Sequence, residues 1–233
     1  MPLNKADKKR IRQQLIQGQV QIARIDQSNL AEVVWDLIDD YTKDGEGKRQ
    51  ALIQQILLQM PEIALAQFSR GSGTPTNLLS LSCNASDAHI RKFIPSLLNA
   101  ASEFKEKSEQ QEVELCKSIY TIIALAYTGD DQKSIAREVC NVVSTSPNLA
   151  TLKAVKAKDG SQVSLAQCLL SGSERQKVYY GTFFRASTAG KSDEEISAAI
   201  ADAMRRYYGK GATDIDSEVW GYILESMSVA PLP

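Results

Sequence analysis

Apolar residues recur every three or four positions along most of this chain, which is the spacing of one face of an α-helix. Stripes of this kind run from Leu30 to Tyr41, from Leu52 to Met60 and from Ile135 to Val143. The segment from Leu115 to Tyr127 is the most apolar and is expected at the centre of the core. The sequence holds no run of alternating strand residues joined by hairpin turns. The pattern therefore predicts an all-α, compact multi-helix fold of roughly ten helices with an N-terminal helical arm.

Short motifs indicate where several helices begin and end. Asn29 with Glu32, and Ser192 with Glu195, have the spacing of capping boxes at helix N-termini. Pro61 is expected to start a short helix that continues from Ile63 to Phe68. The tripeptide 158–160, Lys-Asp-Gly, is predicted to be a turn. After it, residues 163–170 are compatible with either a helix or a strand.

The stretch 70–75, which contains two glycines and a proline, is the most loop-like part of the chain and suggests a boundary. We predict an arm over residues 1–27 and a helical part over residues 28–70. A main helical body is predicted over residues 77–228, followed by a tail over residues 229–233.

The predicted arm carries one narrow apolar seam. Ile11, Leu15, Gly18, Ile22 and Ile25 follow each other at alternating spacings of four and three residues. A lone amphipathic helix of this kind packs on a neighbouring subunit, folds back on its own core, or lies on an acidic membrane surface. We predict oligomerisation through Ile11, Leu15, Ile22 and Ile25, with folding back on the core as the main alternative.

Charge is unevenly distributed, although the net charge is only −1. Residues 5–12 hold five basic side chains against one acidic side chain, whereas residues 13–151 hold 12 basic and 17 acidic ones. Residues 152–210 hold 10 basic and 6 acidic side chains, and residues 211–233 hold four acidic and no basic ones. The two basic segments are therefore the places where a polyanion is expected to dock.

In the second basic segment, aromatic residues alternate with lysine and arginine. Aromatic rings stack on the bases of single-stranded nucleic acid, while Lys and Arg neutralise its phosphates. The predicted nucleic-acid-binding residues are Lys153, Lys156, Arg175, Lys177, Tyr180, Arg185, Lys191, Arg205, Arg206, Tyr207 and Lys210. A purely structural interpretation stays open, because at least one of Phe183 and Phe184 is expected in the core. Arg205 and Arg206 also fall in the last turn of a predicted helix, where cations are favourable in any protein.

The sequence offers little catalytic chemistry. His89, the single histidine, lies in a predicted exposed first turn, and the four cysteines lack the paired spacing of a zinc site. Residues 187–192 look like the second half of a phosphate-binding loop, but Arg185 occupies the place of its first glycine. We therefore predict no catalytic residues, no metal and no cofactor, and we favour a non-enzymatic protein.

The cysteines and the chain start also bear on the compartment. Cys116 and Cys140 lie on apolar stripes and are predicted to be buried thiols in a reducing, cytoplasmic environment. The polar, basic start of the chain is not typical of a secretory signal, and no apolar run approaches the roughly 20 residues that span a bilayer.

These observations favour an RNA-binding, self-assembling helical protein. By analogy of architecture alone, nucleocapsid and filamentous coat proteins of RNA viruses share this design of a helical body, an arm and scattered basic residues. Single-stranded RNA and further copies of the chain are the expected partners. The alternative is a helical protein-interaction or scaffold subunit of a larger complex that does not contact nucleic acid.

Overall fold

The computed structural model describes residues 4–18, 21–40, 46–70, 73–125, 130–156, 160–166, 179–192 and 194–195. It confirms the all-α prediction, since the described part is mostly helical. The chain divides into two compact units, residues 1–118 and residues 119–233, and the division falls within helix α7. The segment boundaries predicted from the sequence stay predictions.

The first unit contains seven α-helices among its described residues, the last of which continues into the second unit. They are α1 (Lys5–Ile16), α2 (Gln27–Asp39), α3 (Glu46–Gln59), α4 (Leu78–Asn84), α5 (Ala88–Arg91), α6 (Ile94–Glu103) and α7 (Glu109–Leu125). Two 3₁₀ helices, Ile22–Arg24 and Pro61–Ala64, connect them.

The core of the first unit is built around the short Pro61–Ala64 helix, which contacts α2, α3, α4 and α6. Ile63, Ala64 and the following Leu65 are completely buried. Pro61 starts this helix as predicted, but the helix is shorter than expected. Phe68 instead forms an isolated antiparallel bridge with Thr76, with both backbone N–H···O distances at 2.9 Å.

Helix α2 begins earlier than its predicted capping box. The Asp26 carboxylate accepts a hydrogen bond from the Asn29 backbone N–H at 3.2 Å, so Asp26 is the N-cap. The capping box predicted for Asn29 and Glu32 is therefore wrong. The Glu32 carboxylate instead forms an ion pair with Lys8 of α1.

The arm is not one continuous helix. Helix α1 ends at Ile16, and Gly18 adopts a φ of +66° and donates its backbone N–H to the Leu15 carbonyl at 3.1 Å. Glycine at this position is a common way to end a helix, because a side chain is strained at positive φ. The predicted seam is thus interrupted at Gly18 and resumes in a 3₁₀ helix.

The second unit includes the end of α7 and the helices α8 (Asp130–Thr145), α9 (Asn148–Thr151) and α10 (Tyr180–Thr188). It also contains a small antiparallel hairpin that the sequence pattern did not predict. Strand β1 (Val155–Lys156) pairs with β2 (Gln162–Val163), with Val155 opposite Val163 and Lys156 opposite Gln162. Gly160, in the predicted turn, has a φ of +85°.

None of the helices in the described part of the chain is long and apolar enough to cross a membrane.

Candidate nucleic-acid interface

Helix α10 belongs to the predicted basic-aromatic surface, and both of its phenylalanines are buried. Phe183 is 1% exposed and Phe184 is 7% exposed, and Tyr179, immediately before the helix, is also buried. The helix packs against α8 and α9. Both phenylalanines therefore belong to the core of the second unit, as the structural interpretation had required of at least one.

The inward face of α10 lies beside a buried thiol of α8. Burial raises the pKa of the Cys140 thiol, and a hydrogen bond with Thr182 and the positive charge of Arg185 oppose this shift only in part. Burial, together with the charge of Cys140, raises the pKa of Tyr179 to about 12. Cys140 and Tyr179 therefore stay protonated at neutral pH, and neither is an activated nucleophile or base.

Arg185 was predicted to contact phosphates, and the structure places it at the edge of this cluster. Its side chain is half-buried, and its charge acts on Cys140. Arg185 can therefore contribute positive potential to the surface while its side chain is only half-exposed.

Three of the predicted lysines are exposed. Lys153 lies two residues after the end of α9, Lys156 lies on β1, and Lys191 follows α10. On β1, Val155 is buried and Lys156 points away from it, because successive strand residues alternate between the two faces. Helix α9, which precedes Lys153, contacts α10, which precedes Lys191.

The segment after α10 differs from a phosphate-binding loop in its backbone setting and in its hydrogen bonds. Gly190 has a φ of +75°, and the Lys191 N–H donates to the Thr188 carbonyl at 3.1 Å. The Ser192 N–H donates to the Glu195 carboxylate at 2.8 Å, and the Glu195 N–H donates to the Ser192 hydroxyl at 3.3 Å. The capping box predicted for Ser192 and Glu195 is confirmed. The segment follows a helix rather than a strand, and its capping groups bond to one another.

Other predicted nucleic-acid-binding residues lie outside the described part of the chain. They are Arg175, Lys177, Arg205, Arg206, Tyr207 and Lys210, and the side chain of Tyr180 is likewise not described.

The residues predicted for oligomerisation all lie in the first unit. Ile11 and Leu15 are buried, and α1 packs on α2 of the same chain. Ile22 and Ile25 are half-buried. The arm is therefore seated on its own unit in this structure, and its role between subunits stays a prediction.

Sequence reasoning missed the ion pairs that hold α1 in place. Lys8 pairs with Glu32, and Arg12 pairs with Asp40, which follows the last residue of α2. The sequence held a signal for these ion pairs. Lys8 and Arg12 lie one helical turn apart, and the acidic residues Glu32, Asp36 and Asp40 follow one another at the same spacing. The spacing alone does not say which two helices meet.

Two of the remaining predictions concern isolated residues. His89 is exposed in the first turn of α5, as predicted. Cys116 and Cys140 are buried thiols, as predicted, and Cys83 is buried as well. In the described ranges, no three His, Cys, Asp or Glu side chains are grouped so that they could hold a metal ion.

Comparison with known proteins does not add a family to this description. No protein-family model matches the chain, and neither the curated proteins nor the solved structures provide a match.

Proposed function

We propose that this chain is a non-enzymatic helical protein that binds single-stranded RNA through the basic-aromatic surface of residues 152–210 and assembles with further copies of itself. One observation carries the proposal. The predicted phosphate-contacting residues Lys153, Lys156 and Lys191 are all exposed, and α9, which precedes Lys153, contacts α10, which precedes Lys191. Exposed lysines are the groups that neutralise a phosphate backbone.

The burial of Phe183 and Phe184 limits which aromatic residues can stack on RNA bases under this proposal. Base stacking requires an accessible ring face, so neither phenylalanine can serve as a stacking platform. Under the proposal, stacking falls to Tyr180 and Tyr207, and the phenylalanines act only by supporting α10.

The first test is size-exclusion chromatography with light scattering and absorbance at two wavelengths, on protein purified without nuclease. We expect a high-mass species with a nucleic-acid-like absorbance ratio that falls in mass after RNase treatment. A monomer or dimer with a protein-like ratio would contradict the proposal.

A residue-level test uses charge reversal on the exposed lysines. We expect the double variant K153E/K191E to bind fluorescein-labelled oligouridine at least about tenfold more weakly than the unaltered protein. Each lost phosphate contact should also reduce the slope of log affinity against log salt by about 0.7.

The matched control is K48E/K105E, which changes the net charge equally at two exposed lysines of the first unit. If both double variants lose affinity equally, then binding responds to net charge alone and the proposed surface is wrong.

A scaffold subunit that contacts other proteins is the second candidate. It is favoured by three large apolar side chains that are more than half exposed, Ile16, Leu58 and Leu125, of which Leu58 is 76% exposed. Scattered exposed apolar residues are common on soluble proteins, so this observation carries less weight. Under this alternative, L58N should abolish capture of a protein partner, and no nucleic acid should co-purify.

A further inference from the structure

Helices α1 and α2 of the first unit carry opposite charge. Helix α1 contains five lysines and arginines and a single acidic residue, Asp7. Helix α2, with its caps Asp26 and Asp40, contains five carboxylates and no Lys or Arg. The two helices pack against each other, so the basic segment at the start of the chain lies against an acidic helix of the same unit.

The contacts between them are specific. Lys8 pairs with Glu32, and these side chains are only 26% and 13% exposed. Arg12 pairs with Asp40, and the arginine side chain is also 26% exposed. Glu32, Asp36 and Asp40 lie one helical turn apart, and the charges of Lys8 and Arg12 both act on Asp36. We call these three carboxylates the acidic stripe.

The face of α1 that meets the acidic stripe also holds its apolar contacts, whereas the other cations of α1 face solvent. Ile11 and Leu15 are the buried residues of α1. Lys5, Lys9 and Arg10 are exposed, and Arg10 is 68% exposed even though it pairs with Asp7 at 3.1 Å. Two apolar side chains and two partly exposed ion pairs form a small contact between α1 and the rest of the unit, and a competing ligand can displace a contact of this size.

We propose that the acidic stripe occupies the place of RNA phosphates on Lys8 and Arg12, so that single-stranded RNA competes with α2 for α1. Carboxylate and phosphate oxygens accept the same charge-assisted hydrogen bonds from ammonium and guanidinium groups. Binding therefore releases α1 and frees its apolar face for a second copy of the chain. This inference rests on the proposed function.

Thermodynamic linkage makes the proposal quantitative. If RNA favours the released state of α1, then releasing α1 by mutation must increase RNA affinity, at most by the factor by which RNA prefers the released state. Salt should also favour the release of α1 from α2, because it screens the ion pairs Lys8–Glu32 and Arg12–Asp40.

The test measures hydrogen exchange of the α1 amides, Lys5–Ile16, on the full-length protein with and without oligouridine. We expect oligouridine to speed this exchange by roughly fivefold or more, the lower end of typical coupling between two sites. Helix α6, Ile94–Glu103, serves as the internal reference and should not respond.

The variant E32Q/D40N removes both carboxylates that pair with α1 and keeps the side-chain sizes. We expect it to speed α1 exchange without RNA and to bind oligouridine more tightly than the unaltered protein. The control E106Q/E109Q makes the same charge change at exposed positions of the first unit and should do neither.

The outcomes separate this inference from the proposed function. If the unaltered protein binds no oligouridine, the proposed function fails and the inference fails with it. If the protein binds oligouridine but α1 exchange does not rise, competition is refuted and RNA binding stands. If E32Q/D40N frees α1 but binds no more tightly than the control, the acidic stripe does not compete with RNA. Because the first measurement uses the unaltered protein, the test does not depend on the variant folding.

Discussion

Replacing Phe183 with alanine tests whether α10 is held by its aromatic residues. Phe183 is among the largest fully buried side chains in the described structure, and it lies on the helix that packs against α8 and α9. Truncation of a buried phenylalanine to alanine typically costs about 3–5 kcal/mol, because apolar contacts are lost and a cavity is left. Single domains are stable by about 5–15 kcal/mol, so this loss is a large part of the total.

Urea denaturation followed by circular dichroism measures the effect. With a urea dependence of about 2 kcal/mol per molar, a loss of about 4 kcal/mol lowers the midpoint by roughly 2 M. Hydrogen exchange should locate the change, with faster exchange in α8 and α10. Phe183→Leu, which keeps most of the volume, should cost less than about 1.5 kcal/mol.

The same two variants separate a core role from an RNA-stacking role. If Phe183 only supports α10, then Phe183→Leu should bind oligouridine with unchanged affinity. An unchanged urea midpoint for Phe183→Ala would refute the core assignment. A tenfold loss of oligouridine affinity in a stable Phe183→Leu protein would show instead that the ring contacts RNA.

Three further predictions concern buried or partly buried polar groups. Asn77→Ala should lower stability by about 1–2 kcal/mol in thermal melts, because the Asn77 amide oxygen caps α4 by accepting the Ser80 N–H at 2.8 Å; Asn77→Ser should recover part of the loss. Burial raises the pKa of the Asp36 carboxyl despite the nearby charge of Lys8. The protonated carboxyl therefore favours the folded state. This contribution to stability is fully present below the pKa of Asp36 in the unfolded chain and is lost as pH rises through the higher pKa in the folded chain. Asp36→Asn should therefore flatten the stability profile above about pH 4, and a profile that stays parallel to that of the unaltered protein would contradict this. In a Cys168→Ser background, a thiol reagent should modify Cys83 and Cys140 only as fast as the protein opens, because burial raises the pKa of both thiols.

Local patterns predicted much of the helical framework, because a helix whose apolar stripe faces a core can be recognised without knowing its partner. The Ser192–Glu195 capping box is a local motif, and the structure confirms it. The Asn29–Glu32 motif has the same spacing and is wrong, for two reasons. Asp26 offers a cap three residues earlier, and Glu32 has a cationic partner on another helix.

The features that sequence reasoning missed depend on very short segments or single residues. Each strand of the hairpin is two residues long, which is too short to show the alternation that identifies strands. The apolar spacing of the arm continues through Gly18, so periodicity alone extended the helix past the residue that ends it. The exposed lysines were predicted, but the burial of both Phe183 and Phe184 could not be derived without knowing how α10 packs.

The two basic segments of the chain carry different weight as evidence for a polyanionic partner. Summed along the sequence, residues 5–12 and residues 152–210 have similar excess positive charge. In the structure, Lys8 and Arg12 of the first segment are paired with carboxylates of α2, so part of its charge is explained within the chain. In the second segment, Lys153, Lys156 and Lys191 are exposed. A test of RNA binding should therefore begin with the second segment, and the first contributes only to the extent that RNA displaces the acidic stripe.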